Sequence, residues 1–287
     1  MSGSNVYQDE NGVLIDTETG VGFTVSLPSM ARVHNFWHCG KDYFRADEEA
    51  AARVDTSFNL AAGALAARTF QYTATEKLIA EHGIAQLLDL GVGLPVPPYL
   101  HEIAVRLNPA VRVVYADYDP LVAAHARVLL DIQPKATYRH GDFADPAAML
   151  AELRALLDLS QPVAVSLISV LEYVSHDPIP MLATLHAHLA PGSYLMLASL
   201  AGSASERASA QDHEDLEALF RACGLTFRDR TKDEFTALFD GFELLDPGVV
   251  PVDRWAATAD EDPCKLRPRE RLKPTQLPCY VGLARKP

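Results

Sequence analysis

A glycine-containing loop after a short apolar run is the strongest candidate for chemistry in this sequence. The run Leu87-Leu88-Asp89-Leu90 leads directly into Gly91-Val92-Gly93-Leu94-Pro95. Glycine is required where the backbone approaches a ligand closely or adopts a positive φ. A lone Gly-x-Gly is weak evidence, but a strand, a glycine turn and a helix in that order are typical of loops that bind nucleotide-like cofactors. We therefore predict that Asp89, Gly91 and Gly93 contact a cofactor.

The residues around this loop indicate which cofactor it suits. A dinucleotide needs backbone N–H groups at a helix N-terminus to bind its pyrophosphate. Here Pro95, Pro97 and Pro98 occupy that stretch, and proline has no N–H to donate. The third glycine of the dinucleotide pattern is missing, and Asp89 would add a negative charge near the phosphates. S-Adenosylmethionine has no phosphate, and a carboxylate favours its ammonium group, so the loop favours this cofactor over NAD.

A second carboxylate follows the next apolar run. Asp117 ends the segment Val113-Val114-Tyr115-Ala116-Asp117, about 26 residues after Gly91. In nucleotide-type sites, an acidic residue at this strand end accepts hydrogen bonds from the ribose hydroxyls. Asp119 precedes Pro120, which predicts a helix N-cap followed by proline at the first helical position. We therefore assign Asp117 to ribose and Asp119 to capping, and Tyr118 could cover the face of an adenine ring.

A third acid follows the third run, in His140-Gly141-Asp142-Phe143. Gly-Asp alone is a common turn. As the third acid at a third consecutive strand end, Asp142 could accept a hydrogen bond from the adenine amino group, while the backbone N–H of Phe143 reaches a ring nitrogen. All three acids would lie along the carboxyl edge of one parallel sheet, where open α/β sheets bind ligands. Ser169, at the end of the fourth run, completes the predicted cofactor contacts.

The elements that position these residues alternate between apolar runs and amphipathic segments. Short runs rich in Val, Leu and Ile separated by helices indicate a parallel sheet that is covered on both faces. The runs are Gln86–Leu90, Arg112–Ala116, Ala136–His140, Val163–Ser169 and Ser193–Ser199, with helical segments near 99–107, 120–130, 147–157 and 179–189. After them come helices near Glu214–Ala222 and 232–239, and two last apolar runs, Phe242–Leu245 and Tyr280–Ala284.

The chain divides into three stretches by composition. Residues 1–27 are polar and predict a flexible arm, and apolar residues at three- and four-residue spacing predict a helical cap over 28–83. Residues 84–287 would form the cofactor-binding core, integrated with the cap into one domain.

Bulk composition narrows the partners. The 287 residues carry a formal net charge of −13, which opposes binding to nucleic acid or to an anionic lipid surface. The four cysteines lack a C-x-x-C spacing, which is typical of free thiols in a reducing compartment and predicts no metal site. No signal-like start and no apolar window long enough for a membrane helix is present in the sequence. We expect a cytoplasmic protein whose oligomeric state cannot be derived from the sequence.

Together these motifs resemble the class I S-adenosylmethionine-dependent methyltransferases. More narrowly, the chain is similar to a bacterial family of that superfamily with an N-terminal Gly-Lys-Asp motif. The resemblance spans roughly residues 28–284 and rests on Ala31-Arg32, Gly40-Lys41-Asp42-Tyr43-Phe44, Leu88 to Pro95, Val114 to Pro120, and Ala190-Pro191-Gly192-Ser193-Tyr194-Leu195. Leu94-Pro95 departs from the superfamily's G-x-G-x-G but resembles this family's own pattern. Cys39 stands where a second glycine is expected, and Tyr43 where asparagine is common.

The resemblance implies a Rossmann-like α/β fold with helices on both faces of a seven-stranded, mostly parallel sheet. Its strand order would be 3-2-1-4-5-7-6 with the last strand antiparallel, and Phe242–Leu245 and Tyr280–Ala284 would be the final pair. It also implies that Gly40 to Phe44 closes over the methionine end of the cofactor. Lys41 could then meet the cofactor's carboxylate and Asp42 its ammonium, or the two could pair with each other or cap a turn.

Catalysis by such an enzyme depends first on positioning, and a general base is needed only when the acceptor must lose a proton. The segment after the fourth run offers Glu172, Tyr173 and His176 as catalytic candidates, of which we expect one to touch the substrate. His34, Trp37 and His38 in the cap are pocket candidates, although aromatic residues at helical spacing more often pack. We expect a small-molecule acceptor. The alternatives are a non-catalytic module that binds S-adenosylmethionine or its demethylated product and, less favoured, an NAD-dependent oxidoreductase.

Overall fold

The computed structural model describes residues 6–8, 13–16, 22–56, 58–131, 135–142, 146–204, 209–255 and 277–287. A small antiparallel sheet precedes the first helix, with strand order β1-β2-β3. Its strands are β1 (Val6–Gln8), β2 (Leu14–Asp16) and β3 (Gly22–Phe23). Cross-strand pairing satisfies backbone N–H and C=O groups of these three strands.

Three helices follow, as the apolar spacing of residues 28–83 predicts. They are α1 (Met30–Trp37), α2 (Arg45–Val54) and α3 (Leu60–His82). Ser29 is the N-cap of helix α1, and its hydroxyl accepts a hydrogen bond from the N–H of Arg32. Helix α3 ends at Gly83, which adopts a φ of 67° that favours glycine. Helix α3 contacts α1 on one side and three strands of the main sheet on the other.

The described residues after Gly83 form the main sheet and its covering helices. In chain order they are β4 (Gln86–Leu90), α4 (Leu100–Leu107), β5 (Arg112–Asp117), α5 (Pro120–Leu129), β6 (Ala136–His140), α6 (Pro146–Leu153), β7 (Ala164–Ile168), α7 (Ile179–His188), β8 (Tyr194–Leu200), α8 (Ala210–Ala222), α9 (Lys232–Ala237), β9 (Glu243–Leu244), β10 (Val250–Pro251) and β11 (Cys279–Arg285). Strands β2 and β3 of the small sheet contact α5.

The strand order of the main sheet confirms the predicted topology. Along the sheet the order is β10-β11-β8-β7-β4-β5-β6, with β9 also paired to β11. The five neighbouring strands β8, β7, β4, β5 and β6 pair in parallel, and β11 is antiparallel to β8. The sheet has eight strands and not the predicted seven, because two short strands, β9 and β10, pair with β11 where the predicted order has the single strand 6. Pro247, which has no N–H for a ladder, and Gly248 in a turn separate them.

Side chains on the two faces of this sheet enter separate hydrophobic clusters, because neighbouring residues of a strand point to opposite faces. Leu87 and Val113 pack beneath the helices of the cap and beneath α4, α5 and α8. Leu88 and Val114 pack on the other face, beneath α6, α7 and α9. Both faces are therefore covered, as the nearly continuous apolar runs predict. Within the described part of the chain, no helix has the length and apolar character of a membrane crossing.

Candidate functional site

The glycine loop turns sharply after β4 and lies against the end of β5. Gly91 donates its N–H to the carbonyl of Ala116 at 2.8 Å. Gly91 and Gly93 adopt φ values of 73° and 64°, where glycine is favoured. A Cβ on Gly91 would also come within 2.5 Å of Cγ2 of Val170. The loop therefore packs tightly between the ends of β5 and β7.

Asp117 ties this loop to the end of β5. Its Oδ2 accepts the N–H of Gly93 at 2.8 Å, and its Oδ1 accepts the N–H of Asp119 at 2.9 Å. Burial raises the pKa of the Asp117 carboxyl to about 6, although these N–H donors oppose the shift. Asp119 caps α5 as predicted, since its Oδ1 accepts the N–H groups of Leu121 and Val122.

Asp89 lies near the end of β4 and is also buried. Its Oδ1 accepts hydrogen bonds from Nε2 of Gln71 at 2.8 Å and from the hydroxyl of Ser166. Burial raises the pKa of this carboxyl to about 6, while the hydrogen bond from Ser166 and the nearby charge of Arg68 oppose the shift. A buried carboxylate whose hydrogen-bond donors among the described residues are neutral side chains favours a cationic ligand group beside it.

A cavity of about 390 Å³ lies at the carboxyl ends of β4, β5 and β7, beneath α1 and α3. The structure brings together seven of the predicted cofactor residues on its wall. They are Asp89, Gly91, Gly93, Asp117, Tyr118, Asp142 and Ser169. Phe143, which was also predicted to contact the cofactor, lies outside the described residues. Tyr118 is 62% exposed, so this residue is accessible to a ligand.

The Gly-Lys-Asp segment lies beside this cavity and not on its wall. Gly40, Lys41 and Asp42 are absent from the described residues that line it. Lys41 is exposed, and the Asp42 carboxylate lies 3.7 Å from Nδ1 of His125 on α5. Asn35 connects the segment to the cavity, because its Oδ1 accepts the N–H of Asp42 at 2.9 Å and the residue itself lines the wall.

The three catalytic candidates separate into two groups. Tyr173 and His176 line the cavity, but Glu172 is absent from its described wall. Glu172 is buried behind the loop, where its Oε1 accepts the N–H of Leu200 at 2.8 Å and its Oε2 accepts the Ser199 hydroxyl at 3.2 Å. Burial raises the pKa of its carboxyl to about 7. The geometry therefore does not support Glu172 as a group that touches substrate.

The cap supplies two of its three aromatic candidates to the cavity. His34 and His38 line the wall, whereas Trp37 is buried and packs edge-on against His34. Nε2 of His34 lies 2.9 Å from the hydroxyl of Tyr173, and burial lowers the pKa of His34 to about 3. Nε2 of His38 lies 3.3 Å from the carbonyl of Ala64, so this nitrogen carries the proton.

Sequence reasoning missed the polar residues that α3 contributes. Arg68 donates to the carbonyls of Val96 and Pro98 and to the hydroxyl of Tyr72, and Gln71 donates to Asp89. Both line the cavity. Their signal in the sequence is a polar pair three residues apart inside an alanine-rich helical run, a spacing that places both on one helix face.

The order of strands in the sheet is that of the Rossmann-like class I methyltransferases, which depend on S-adenosylmethionine. The model of the S-adenosyl methyltransferase family matches residues 17–287, and the chain belongs to this family. Comparison with curated protein sequences gives no match.

Two solved structures resemble the chain over most of its length. A DUF574 family protein from Streptomyces avermitilis is 33% identical, with a TM-score of 0.79 and coverage of 92% of this chain and 99% of the other. A putative methyltransferase from Thermobifida fusca is 34% identical, with a TM-score of 0.78 and coverage of 91% and 96%. An S-adenosylmethionine-dependent methyltransferase from Mesorhizobium loti, 18% identical over 75% of this chain and 97% of the other with a TM-score of 0.50, shares the fold.

Proposed function

We propose that this methyltransferase methylates a small molecule that binds between α1 and the loop after β7. The observation that supports the proposal is that acidic residues at the strand ends and ring-bearing residues from α1 and the loop line the same cavity. The strand-end acids Asp89 and Asp117 lie on one side of it, and the ring-bearing residues His34, His38 and Tyr173 line it from α1 and the loop. Its volume of about 390 Å³ falls in the range of small-ligand pockets.

The residues present fit S-adenosylmethionine. Asp117 would hold the ribose hydroxyls, because a carboxylate has about four lone-pair sites and keeps acceptor capacity beyond its backbone N–H partners. Asp89 would lie beside the ammonium group, whose charge offsets the burial of the carboxylate. Tyr118 and Asp142 would contact the adenine, and the charge of Arg68 suits the cofactor's carboxylate. The buried hydroxyl of Ser169 has no hydrogen-bond partner among the described residues, which supports a ligand contact there.

Bound S-adenosylmethionine would supply a methyl group on a positively charged sulfur, open to in-line attack by the acceptor. The chain's contribution is to hold the acceptor in line and to exclude water. Residues of α1 and α3 line the cavity, and the loop after β7 contributes Ser169, Tyr173 and His176 to its wall. Because Glu172 is engaged with Leu200 and Ser199, proton removal by that side chain is not part of this proposal.

An acidic chain and a covered cavity both favour a small acceptor over a polymer. The net charge of −13 opposes approach of a nucleic-acid backbone. We propose that the protein acts in the cytoplasm, because its four cysteines lack the pattern of a disulfide framework.

The experiment that tests cofactor binding is calorimetric titration with S-adenosylhomocysteine, with NAD as the control ligand. We expect micromolar affinity for the first and none for the second. Asp117→Ala should lose at least tenfold in affinity, whereas Asp240→Ala, which removes an exposed carboxylate outside the cavity wall, should not. Absence of S-adenosylhomocysteine binding by the unaltered protein would overturn the assignment of this cavity.

A labelling experiment tests the acceptor class. The protein is incubated with S-adenosylmethionine labelled on its methyl group and with a cell extract of Streptomyces avermitilis, in which a relative occurs. We expect label in the acid-soluble small-molecule fraction. Label confined to precipitated protein or nucleic acid would contradict a small acceptor, and cofactor binding with no label in any fraction would favour a non-catalytic binding module.

A further inference from the structure

We propose that His34 and Tyr173 together recognise the acceptor, and that the acceptor is an uncharged aromatic molecule that carries a hydroxyl group. This inference rests on the function proposed above and specifies its substrate class. The inference follows from the geometry of the pair and from the hydrogen-bond donor or acceptor that the pair can still offer to a ligand. The charges and the aromatic side chains of the surrounding wall also support it.

The pair joins two elements that are far apart in the chain. His34 lies on α1 and Tyr173 in the loop after β7, and Nε2 of the first lies 2.9 Å from the hydroxyl of the second. The two rings meet edge to face, with centroids 5.5 Å apart and an interplanar angle of 74°. Both residues line the cavity, so a ligand between α1 and the loop would meet them.

Burial keeps both members of the pair uncharged. It lowers the pKa of His34 to about 3 and raises the pKa of Tyr173 well above its usual range. An imidazole and a phenol that share one hydrogen bond can orient it in either direction. When the phenol donates, the pair offers an acceptor to a third group, and when the imidazole donates, it offers the phenol O–H. A hydroxyl group can use either arrangement because it both donates and accepts.

The charges on the surrounding cavity wall disfavour a negatively charged acceptor. Asp89, Asp117 and Asp142, which the proposed function places around the cofactor, line the same cavity, and their negative charge disfavours an anion elsewhere in it. Arg68 is the cation of the described wall that is charged at every ordinary pH, and its guanidinium already donates to the carbonyls of Val96 and Pro98. An anionic acceptor would therefore meet net repulsion, whereas an uncharged one would not.

The same wall is rich in flat side chains. Besides the pair itself and Tyr118, which the proposed function assigns to the adenine, rings from Tyr99, His38 and His176 line the cavity. Aromatic rings pair favourably with other rings in stacked or edge-to-face geometry. An aromatic acceptor uses this surface more fully than an aliphatic one of the same size.

A different role for the pair is purely structural, namely to hold α1 against the loop after β7. The two roles differ in what they predict for Tyr173→Phe. A structural link would lower stability and cofactor affinity together and would leave the discrimination among ring compounds unchanged. Recognition of a hydroxyl would change that discrimination at constant cofactor affinity.

The test is calorimetry of phenol, toluene and benzoate against protein saturated with S-adenosylhomocysteine. We expect phenol to bind about tenfold more tightly than toluene or benzoate. Tyr173→Phe and His34→Leu should each lower phenol affinity about five- to tenfold, as loss of one hydrogen bond implies, with affinity for S-adenosylhomocysteine within about twofold. The matched control is Tyr194→Phe, because this buried tyrosine lies outside the described wall of the cavity and should leave phenol binding unchanged.

Three results would overturn the inference: equal affinity for benzoate and phenol, unchanged phenol affinity in both variants, or no probe binding at millimolar concentration. If Tyr173→Phe alone loses cofactor affinity, His34→Leu decides between recognition and a structural link. Failure of the unaltered protein to bind S-adenosylhomocysteine is a separate result, which would overturn the proposed function itself.

Discussion

The side chain of Asn35 lies directly against the backbone of Gly40. A Cβ at position 40 would come within 2.3 Å of Oδ1 of Asn35 and within 2.5 Å of its Nδ2. The carbonyl of Asn35 accepts the N–H of Gly40 at 2.8 Å, and its Oδ1 accepts the N–H of Asp42 at 2.9 Å. The Gly-Lys-Asp segment thus forms the turn that ends α1, and we infer that it acts on the cavity through the position of this helix.

The first prediction follows from this contact. Gly40→Ala should displace Asn35 and lower the free energy of unfolding by about 1–3 kcal/mol, the usual range for overpacking. Lys41→Ala, which changes an exposed neighbour, should alter it by less than about 0.5 kcal/mol. Urea unfolding of the three proteins measures both values. Equal stability of Gly40→Ala and the unaltered protein would show that the turn can open at little cost.

The second prediction concerns the glycine loop. Gly91→Ala combines a φ of 73° with a contact of 2.5 Å to Val170, whereas Gly93→Ala has a similar φ but meets no atom within 4 Å. We expect Gly91→Ala to be the more destabilising, with about 1–2 kcal/mol from the backbone in each variant and a further penalty from overpacking at Gly91 alone. Adding Val170→Ala to Gly91→Ala should recover part of the loss. Thermal unfolding of the double mutant tests this, and no recovery would exclude Val170 as the cause.

The third prediction concerns a buried ion pair in the cap. Nε of Arg32 lies 2.8 Å from Oδ2 of Asp47, and both side chains are almost fully buried. The same carboxylate accepts the N–H groups of Ser29 and Phe44, so it connects the starts of α1 and α2. Asp47→Ala should cost about 3–5 kcal/mol, because it leaves a buried guanidinium without its charged partner.

The control for this variant is Glu48→Ala on the same helix turn. Glu48 is exposed, and its favourable interaction with the helix N-terminus accounts for at most about 1 kcal/mol. Chemical unfolding at neutral pH compares the two variants. A loss in Asp47→Ala no larger than that of the control would mean that Arg32 finds water or another acceptor.

The fourth prediction is a pH dependence of the cofactor-free protein. Burial raises the carboxyl pKa values of Asp89 and Asp117 to about 6 and of Glu172 to about 7, from ordinary values of 3.8 and 4.5. Between the ordinary and the raised pKa, the folded protein holds protons that the unfolded chain releases. The contribution of these three groups to stability therefore falls as pH rises through that window.

Glu172→Gln isolates one contribution, because the amide cannot ionise. Relative to the unaltered protein, this variant should gain stability between about pH 4.5 and about pH 7, by up to roughly 3 kcal/mol. Urea midpoints of both proteins across this range measure the difference. A constant difference would mean that the Glu172 carboxyl titrates at its ordinary pKa.

Most of the sheet could be predicted from sequence because its signals are local. Apolar runs bounded by turns predicted the five parallel strands from β4 to β8 with bounds within one residue, and Asp119-Pro120 predicted the start of α5. The glycine loop and the acids at or near the ends of β4, β5 and β6 could be assigned to one edge, since parallel strands end together. Five of these residues, Asp89, Gly91, Gly93, Asp117 and Asp142, line one cavity.

What could not be predicted depends on tertiary contacts. The separation of Tyr173 from Glu172 is set by the N–H of Leu200 and the hydroxyl of Ser199, which lie on a strand reached only after α7. Arg68 and Gln71 occupy a helical run that gives no sign of which face meets the sheet edge. The split of the sixth strand depends on how Pro247 and Gly248 turn beside β11.

Helix α3 serves two structures at once, because it contacts β7, β8 and β11 with one side and carries the cavity residues Arg68 and Gln71 on another. An N-terminal segment that ends inside this helix cannot be exchanged between relatives as a module without uncovering the sheet. Divergence in acceptor preference within the family is then expected to proceed by single substitutions on α1 and on the loop after β7. Recombination of whole segments would be selected against at this helix.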